Sequence, residues 1–133
     1  MNQTTRILVV DDEPEILRVF TQILNNAGYE VLTAATGRDG LRLAREERPD
    51  LVLLDVLLPD FNGMAVCKQI KGDPILKDVF VVLISGGATS TTHKVEGLAS
   101  GADDYMVKPL DPDELLARIQ TMRLRPADRC RID

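Results

Sequence analysis

The stretch "LVLLD", Leu51 to Asp55, decides the fold. Four consecutive apolar side chains leave neither face of a strand for solvent, the pattern of a strand covered on both faces in a parallel sheet. The next residues, "VLLPD" at 56–60, add three more apolar groups, so Asp55 stands alone in a greasy surrounding. Desolvating a lone carboxylate is costly unless something compensates it. The fold and the compensation are therefore read together, outward from this run.

Apolar runs alternate with amphipathic ones along the chain. "RILVV" at 6–10 reads as the first strand and is followed by Asp11 and Asp12. Ile16, Leu17, Phe20, Ile23 and Leu24 then recur at helical spacing, with Pro14 suited to the first turn and Gly28 to a helix stop. Residues 29–34 predict a second strand, and "GRDGLRLAREERP" a second helix with Leu41 and Ala44 inward, ended by Pro49. "NGMAVCKQIKGD" predicts a third helix with Met64, Cys67 and Ile70 inward. Residues 79–84 predict a fourth strand, 90–100 a weakly amphipathic helix anchored on Val95 and Leu98, and 104–107 a short fifth strand. "DPDELLARIQTM" predicts a last helix lined by Leu115, Leu116, Ile119 and Met122. Asp111 is its N-cap, Pro112 its first residue, and Glu114 completes a capping box.

Strict strand–helix alternation over five units predicts an α/β fold, a doubly wound parallel sheet with helices on both faces. In such sheets the ligand crevice lies outside the carboxyl ends of the strands. Those ends carry Asp11 and Asp12, then Asp55, then Ser85 with Gly86 and Gly87, then Lys108 with Pro109. Three clustered carboxylates repel one another and raise each other's pKa. A hard divalent cation relieves that repulsion, and oxygen ligands at such a crevice suit Mg²⁺. With Lys108 as a fixed positive charge and Ser85 as a donor, the set favours a phosphoryl group.

The bulk properties narrow the choice further. The chain has 133 residues, one ordinary domain, with a net charge of −5, which excludes a basic nucleic-acid footprint in its body. The basic tail with Arg123, Arg125, Arg129 and Arg131 reads as a solvated helix end and linker. No apolar run is long enough to span a membrane, and the N-terminus does not read as a secretory signal. Cys67 and Cys130 read as free thiols, so a cytoplasmic protein is the expectation. "GGATSTTHK" lacks the ending of a nucleotide P-loop, the single histidine, His93, reads as an exposed helix residue, and Asp60 and Asn62 read as turn formers.

Four pieces of sequence in order, "VVDDE" at 9–13, "LLDVLLPDFNG" at 53–63, "LISGGA" at 83–88 and "GADDYMVKPL" at 101–110, resemble the receiver domain of bacterial two-component response regulators. The resemblance covers residues 5–123, leaving 124–133 as a C-terminal tail or truncated linker. It implies a flavodoxin-like sheet of strand order 2-1-3-4-5. It implies that Asp55 accepts a phosphoryl group from a sensor histidine kinase or a histidine phosphotransfer protein, and that Mg²⁺ is held by Asp11, Asp12, Asp55 and the backbone carbonyl of Leu57. Ser85 would hydrogen-bond the phosphoryl group, Lys108 would pair with it, and Ser85 and Tyr105 would form a switch. The bond before Pro109 is usually cis in the family.

The resemblance extends to a helix 4–strand 5–helix 5 face that supports homodimers among winged-helix transcription regulators. Lys94, Asp103, Asp104, Glu114, Arg118 and Arg125 match charged positions of that face. Ser100 stands where an acid is usual, and Leu110 where a phenylalanine is usual. Other readings are weaker. A Mg²⁺-dependent aspartyl-phosphate phosphatase carries a second acid two residues after the nucleophile, where this chain has Leu57. A flavin carrier of the same sheet order is disfavoured by few aromatics and by acids in place of a phosphate loop. A pseudo-receiver, binding partners without phosphorylation, is the remaining alternative.

Overall fold

The computed structural model describes residues 4–86 and 96–130. Five strands, β1 (Arg6–Val10), β2 (Glu30–Ala34), β3 (Leu51–Asp55), β4 (Phe80–Ser85) and β5 (Asp104–Val107), form one sheet. All pairings are parallel and the order is β2-β1-β3-β4-β5. The helices are α1 (Pro14–Asn26), α2 (Gly37–Glu47), α3 (Gly63–Gly72), α4 (described over 96–99) and α5 (Pro112–Cys130). The helix α5 continues past residue 123 into the segment expected to be tail or linker.

All five residues of β3 are buried, as the continuous apolar run demands. Alternate side chains feed two cores. Leu8, Val10, Val52, Leu54, Val81 and Leu83 face Ala44 of α2 and Val66, Cys67 and Ile70 of α3. Ile7, Val9, Leu51, Leu53, Val82 and Ile84 face Phe20 and Leu24 of α1 and Leu115, Ile119 and Met122 of α5. Burial on both faces is what a central parallel strand requires.

Several local expectations hold, and others shift for identifiable reasons. Gly28 closes α1 with φ +97°, a conformation that favours glycine. Arg48 takes the left-handed cap of α2 before Pro49. β4 runs one residue later than expected because Ser85 pairs in register with Val107. The Asp111 carboxylate caps α5 by accepting from the Asp113 amide at 2.9 Å, but Glu114 does not complete a capping box. Its carboxylate is drawn instead to Arg118, one helical turn on, at 3.1 Å. Leu98, expected as an anchor of α4, is 41% exposed. The inward positions of that turn are Gly97 and Ser100, and Val95 lies outside the described residues.

Long-range polar ties then fix the loops. Arg6 reaches Glu47 at 2.6 Å and Glu30 at 3.3 Å, joining β1, α2 and β2. Lys71 of α3 donates to the Val79 carbonyl at 2.7 Å and pairs with Asp103 at 2.8 Å.

Leu53 is fully buried in the core against α1 and α5. Leu53→Ala should lower the unfolding free energy by about 2–5 kcal/mol through lost apolar burial and a residual cavity. A urea titration with an unchanged slope would show it; a loss within experimental scatter would mean the site relaxes to fill the space.

Candidate functional site

The topology sets the carboxyl ends of β1, β3, β4 and β5 side by side. Val10 pairs with Leu54, so the next residues, Asp11 and Asp55, lie adjacent. The Asp11 amide continues the sheet by donating to Ala34 at 3.1 Å, and the Val56 amide donates to Ile84 at 3.0 Å. Neither aspartate can leave the crevice without breaking these bonds.

Both carboxylates are buried, Asp11 at 3% and Asp55 at 6% exposure, and each is oriented by a backbone donor. Asp11 Oδ1 accepts from the Glu13 amide at 2.9 Å, and Asp55 Oδ1 accepts from the Leu57 amide at 3.2 Å. Their other oxygens converge on one cation. Lys108 Nζ lies 2.9 Å from Asp11 Oδ2 and 3.4 Å from Asp55 Oδ2. Glu13, which the sequence did not single out, adds a further carboxylate 3.7 Å from the same ammonium. Asp12 is exposed at the rim, yet Asp11, Asp12 and Asp55 each offer an oxygen within 4.8 Å of the others.

The electrostatics follow from burial and unequal numbers of charges. Burial pushes the Asp55 carboxyl up, and the Asp11 charge adds to this. The Leu57 amide and Lys108 oppose the shift without cancelling it. For Lys108, burial alone would lower the ammonium's pKa. Its hydrogen bond to Asp11 and the charges of Asp55 and Asp11 outweigh that, so it is held above the usual lysine value.

Lys108 is placed by β5. Its amide donates to the Ser85 carbonyl at 2.7 Å, and its bond to Pro109 is cis. Ser85, half-buried at the end of β4, keeps its hydroxyl out of any hydrogen bond among the described residues. Tyr105 is turned inward and 6% exposed. Leu57 is bridged to Asn62 across the loop that follows β3. That loop is tied down by Asp60, whose carboxylate accepts from the Gly37 and Arg38 amides of α2 at 2.8 and 3.0 Å. Asn62 accepts from the Met64 amide at 2.7 Å and caps α3. Both residues therefore do more than form a turn, and Asp60's partners on α2, 22 and 23 residues away, left no local signal.

The expected dimer face divides. Asp104, Arg118 and Glu114 join within the chain, at 2.7 and 3.1 Å from the guanidinium. Asp103 turns away from them to Lys71 and the Val81 amide. Lys94, with His93 and Gly87, lies outside the described residues, as do the side chains of Arg123, Arg125, Arg129 and Cys130. Cys67 is a buried free thiol. Among the described residues no helix is long and apolar enough to cross a membrane.

Comparison with known proteins agrees with this geometry. The response regulator receiver domain family matches residues 7–120. The alkaline phosphatase synthesis transcriptional regulatory protein PhoP of Bacillus subtilis is 42% identical over 120 residues, covering 90% of this chain and 49% of its own. The DNA-binding response regulator MtrA of Mycolicibacterium smegmatis is 42% identical over 123 residues, covering 92% and 52%. Among solved structures, the chemotaxis protein CheY4 of Vibrio cholerae superposes with a TM-score of 0.84 at 34% identity, covering 90% of this chain and 99% of that one. A response regulator of Chloroflexus aurantiacus gives 0.85 at 32% identity, covering 90% and 98%. The chain spans about half the length of the curated relatives it matches.

A carboxyl with a raised pKa in the folded state destabilises that state once ionised. Without divalent cations, Asp55→Asn should raise the melting temperature at neutral pH. The gain should shrink as pH falls through the raised folded value, and vanish below the ordinary value of 3.8. Melting curves across that range test this; a variant less stable than the parent at neutral pH would contradict it.

Proposed function

Because the chain belongs to the response regulator receiver family, we propose that it is a phosphorylation-controlled switch of a two-component system, with Asp55 as phosphoacceptor. The observation that carries this reading is the convergence of Asp11, Asp12 and Asp55 with Lys108 at one end of the sheet. The phosphoryl group comes from a phosphohistidine on a sensor histidine kinase or a histidine phosphotransfer protein. An Asp55 carboxylate oxygen forms the new bond to phosphorus as the bond to the imidazole nitrogen breaks, and the imidazole leaves with the electron pair. Attack by water on the acyl phosphate later regenerates the aspartate. The chain thus acts only on its own aspartate and turns over no separate metabolite.

The donor set fits Mg²⁺. Its oxygens are hard, they lie within one ion's reach, and Asp55 is held up in pKa by burial and by a neighbouring carboxylate. Asp11, Asp12, Asp55 and the Leu57 carbonyl would hold the ion, which supplies charge neutralisation for the carboxylates and the incoming phosphoryl oxygens. Lys108 pairs with the phosphoryl oxygens, which costs little reorganisation because its ammonium already faces Asp55. The Ser85 hydroxyl, without a hydrogen bond among the described residues, donates to the same group.

The switch runs from Ser85 and Tyr105 to the α4–β5–α5 face. That face controls an output partner or domain, either directly or through a homodimer using Lys94, Asp103, Asp104, Glu114, Arg118 and Arg125. The longer relatives are described as transcriptional and DNA-binding regulators. Nucleic-acid contact would then belong to a region other than this acidic domain, and the site of action is the cytoplasm.

With Mg²⁺ and acetyl phosphate, mass spectrometry should show one phosphoryl adduct, absent in Asp55→Asn. Lys108→Ala should slow its formation at least tenfold, since phosphoryl transfer depends on charge placement. No adduct on the parent protein would favour a pseudo-receiver. Independently, Mg²⁺ alone should stabilise the parent by about 2.7 kcal/mol at a hundredfold excess over its dissociation constant. Asp12→Ala should remove most of that gain.

A further inference from the structure

Tyr105 packs inside the fold beside Leu83, its register partner on β4, and its buried hydroxyl has no hydrogen-bond partner among the described residues. The room for the ring comes from Gly97 of α4. A Cβ at residue 97 would lie 2.7 Å from Tyr105 Cδ2, 2.8 Å from Cε2, and 3.2 Å from Leu83 Cδ1. Carbon atoms in comfortable contact sit about 3.5–4.0 Å apart. Backbone conformation does not explain this glycine, because its φ is outside the left-handed region. In a helix, alanine is ordinarily favoured over glycine by about fivefold in equilibrium. Space for the ring is the remaining reason.

The end of α4 is tied to α3, where the Cys67 thiol contacts the Ser100 carbonyl at 3.7 Å. Within α4 the Ser100 hydroxyl donates to the Gly97 carbonyl at 2.5 Å and the Ser100 amide to the Glu96 carbonyl at 3.1 Å, so the turn that carries Gly97 is itself held in shape. Two effects oppose each other at the inward ring: it gains apolar burial against Leu83, and its phenolic hydroxyl has no partner among the described residues.

We propose that Gly97 is a positioning residue for the phosphorylation response. By lacking a side chain it admits the Tyr105 ring, so the size of residue 97 sets the fraction of molecules with the ring inward. This rests on the switch reading of Tyr105 given above. Residue 97 acts through Tyr105, the side chain that a Cβ there would meet most closely.

The test compares the parent, Gly97→Ala, Tyr105→Ala and the double variant. Ring-labelled tyrosine gives two signals, from Tyr29 and Tyr105. A soluble paramagnetic agent should broaden the Tyr105 signal at least threefold more in Gly97→Ala than in the parent, with buried Tyr29 unchanged. The rate of Asp55 phosphorylation by acetyl phosphate should fall about fivefold or more in Gly97→Ala. In the Tyr105→Ala background the same substitution should change it less than twofold. If Gly97→Ala does not fold, the double variant should fold, since no ring remains to collide. The proposal is overturned if the Tyr105 ring stays protected in Gly97→Ala, if the rate effect persists without the ring, or if neither variant folds. Absence of phosphorylation in the parent would instead refute the receiver reading, while the ring-exposure comparison would still decide the role of Gly97.

Discussion

Two buried carboxylates, Asp11 and Asp55, share the single ammonium of Lys108, at 2.9 and 3.4 Å. The rest of the site depends on this unequal sharing. Removing two carboxylates from water costs far more than one partly buried cation returns, unless each oxygen finds further donors. The Glu13 and Leu57 amides satisfy one oxygen of each aspartate, which fixes orientation but leaves the negative charge in excess. Asp12 and Glu13 increase that excess at the rim. A phosphoryl group approaching this arrangement unaided would meet net repulsion. A second cation would relieve that excess, and the converging oxygens are of the type a hard divalent ion takes.

Such an arrangement persists only if the scaffold gives the carboxylates no escape, and the sheet supplies that constraint. β3 is buried throughout and hydrogen-bonded on both sides, so Asp55 is held at its end by its own strand and by the Val56–Ile84 bond. Beyond it the chain could loosen, since Leu57 is exposed. Asp60 prevents this by capping the first amides of α2, and Asn62 by capping α3. Two free helix N-termini thus receive acceptors from one loop, which satisfies amides that would otherwise be orphaned. The same contacts hold Leu57 near the carboxylates.

The sheet was legible in the sequence because its cause is local. A run with no polar face, as in β3, has few folds open to it, and strict alternation with amphipathic segments leaves a doubly wound sheet. The strand-end residues Asp11, Asp55, Ser85 and Lys108 followed from the same argument. Less legible were features whose cause lies far along the chain. Nothing near Asp60 announces that its carboxylate will reach Gly37 and Arg38. Glu114 is a different case: both the capping box and Arg118, one turn on, lie within local reach, and the pattern alone does not rank them. α4 was misjudged for a related reason. Its inward face carries Gly97 and Ser100, small residues that no hydrophobic pattern reveals, while Leu98 points outward. Helices that make room for a neighbour are harder to read than helices that fill space.

The output proposed above would begin at the edge of the sheet. β5 is a four-residue edge strand that pairs, among the described residues, with β4 alone, and it carries Tyr105 and leads directly into Lys108. Its tie at the crevice is the Lys108 amide on the Ser85 carbonyl, so β4 and β5 meet at the two residues expected to contact a phosphoryl group. On its outer side Asp104 pairs with Arg118 of α5, and Val107 is 41% exposed. In the switch proposed above, a change in charge at Asp55 would act first on Lys108, whose backbone belongs to this strand end, and then on the surface built from Asp104, Arg118 and Glu114. The central strands are too deeply packed to relay such a change cheaply. β5 lies at the edge of the sheet, so a shift of the Tyr105 ring or of the Asp104–Arg118 pair would disturb strand pairing on one side alone.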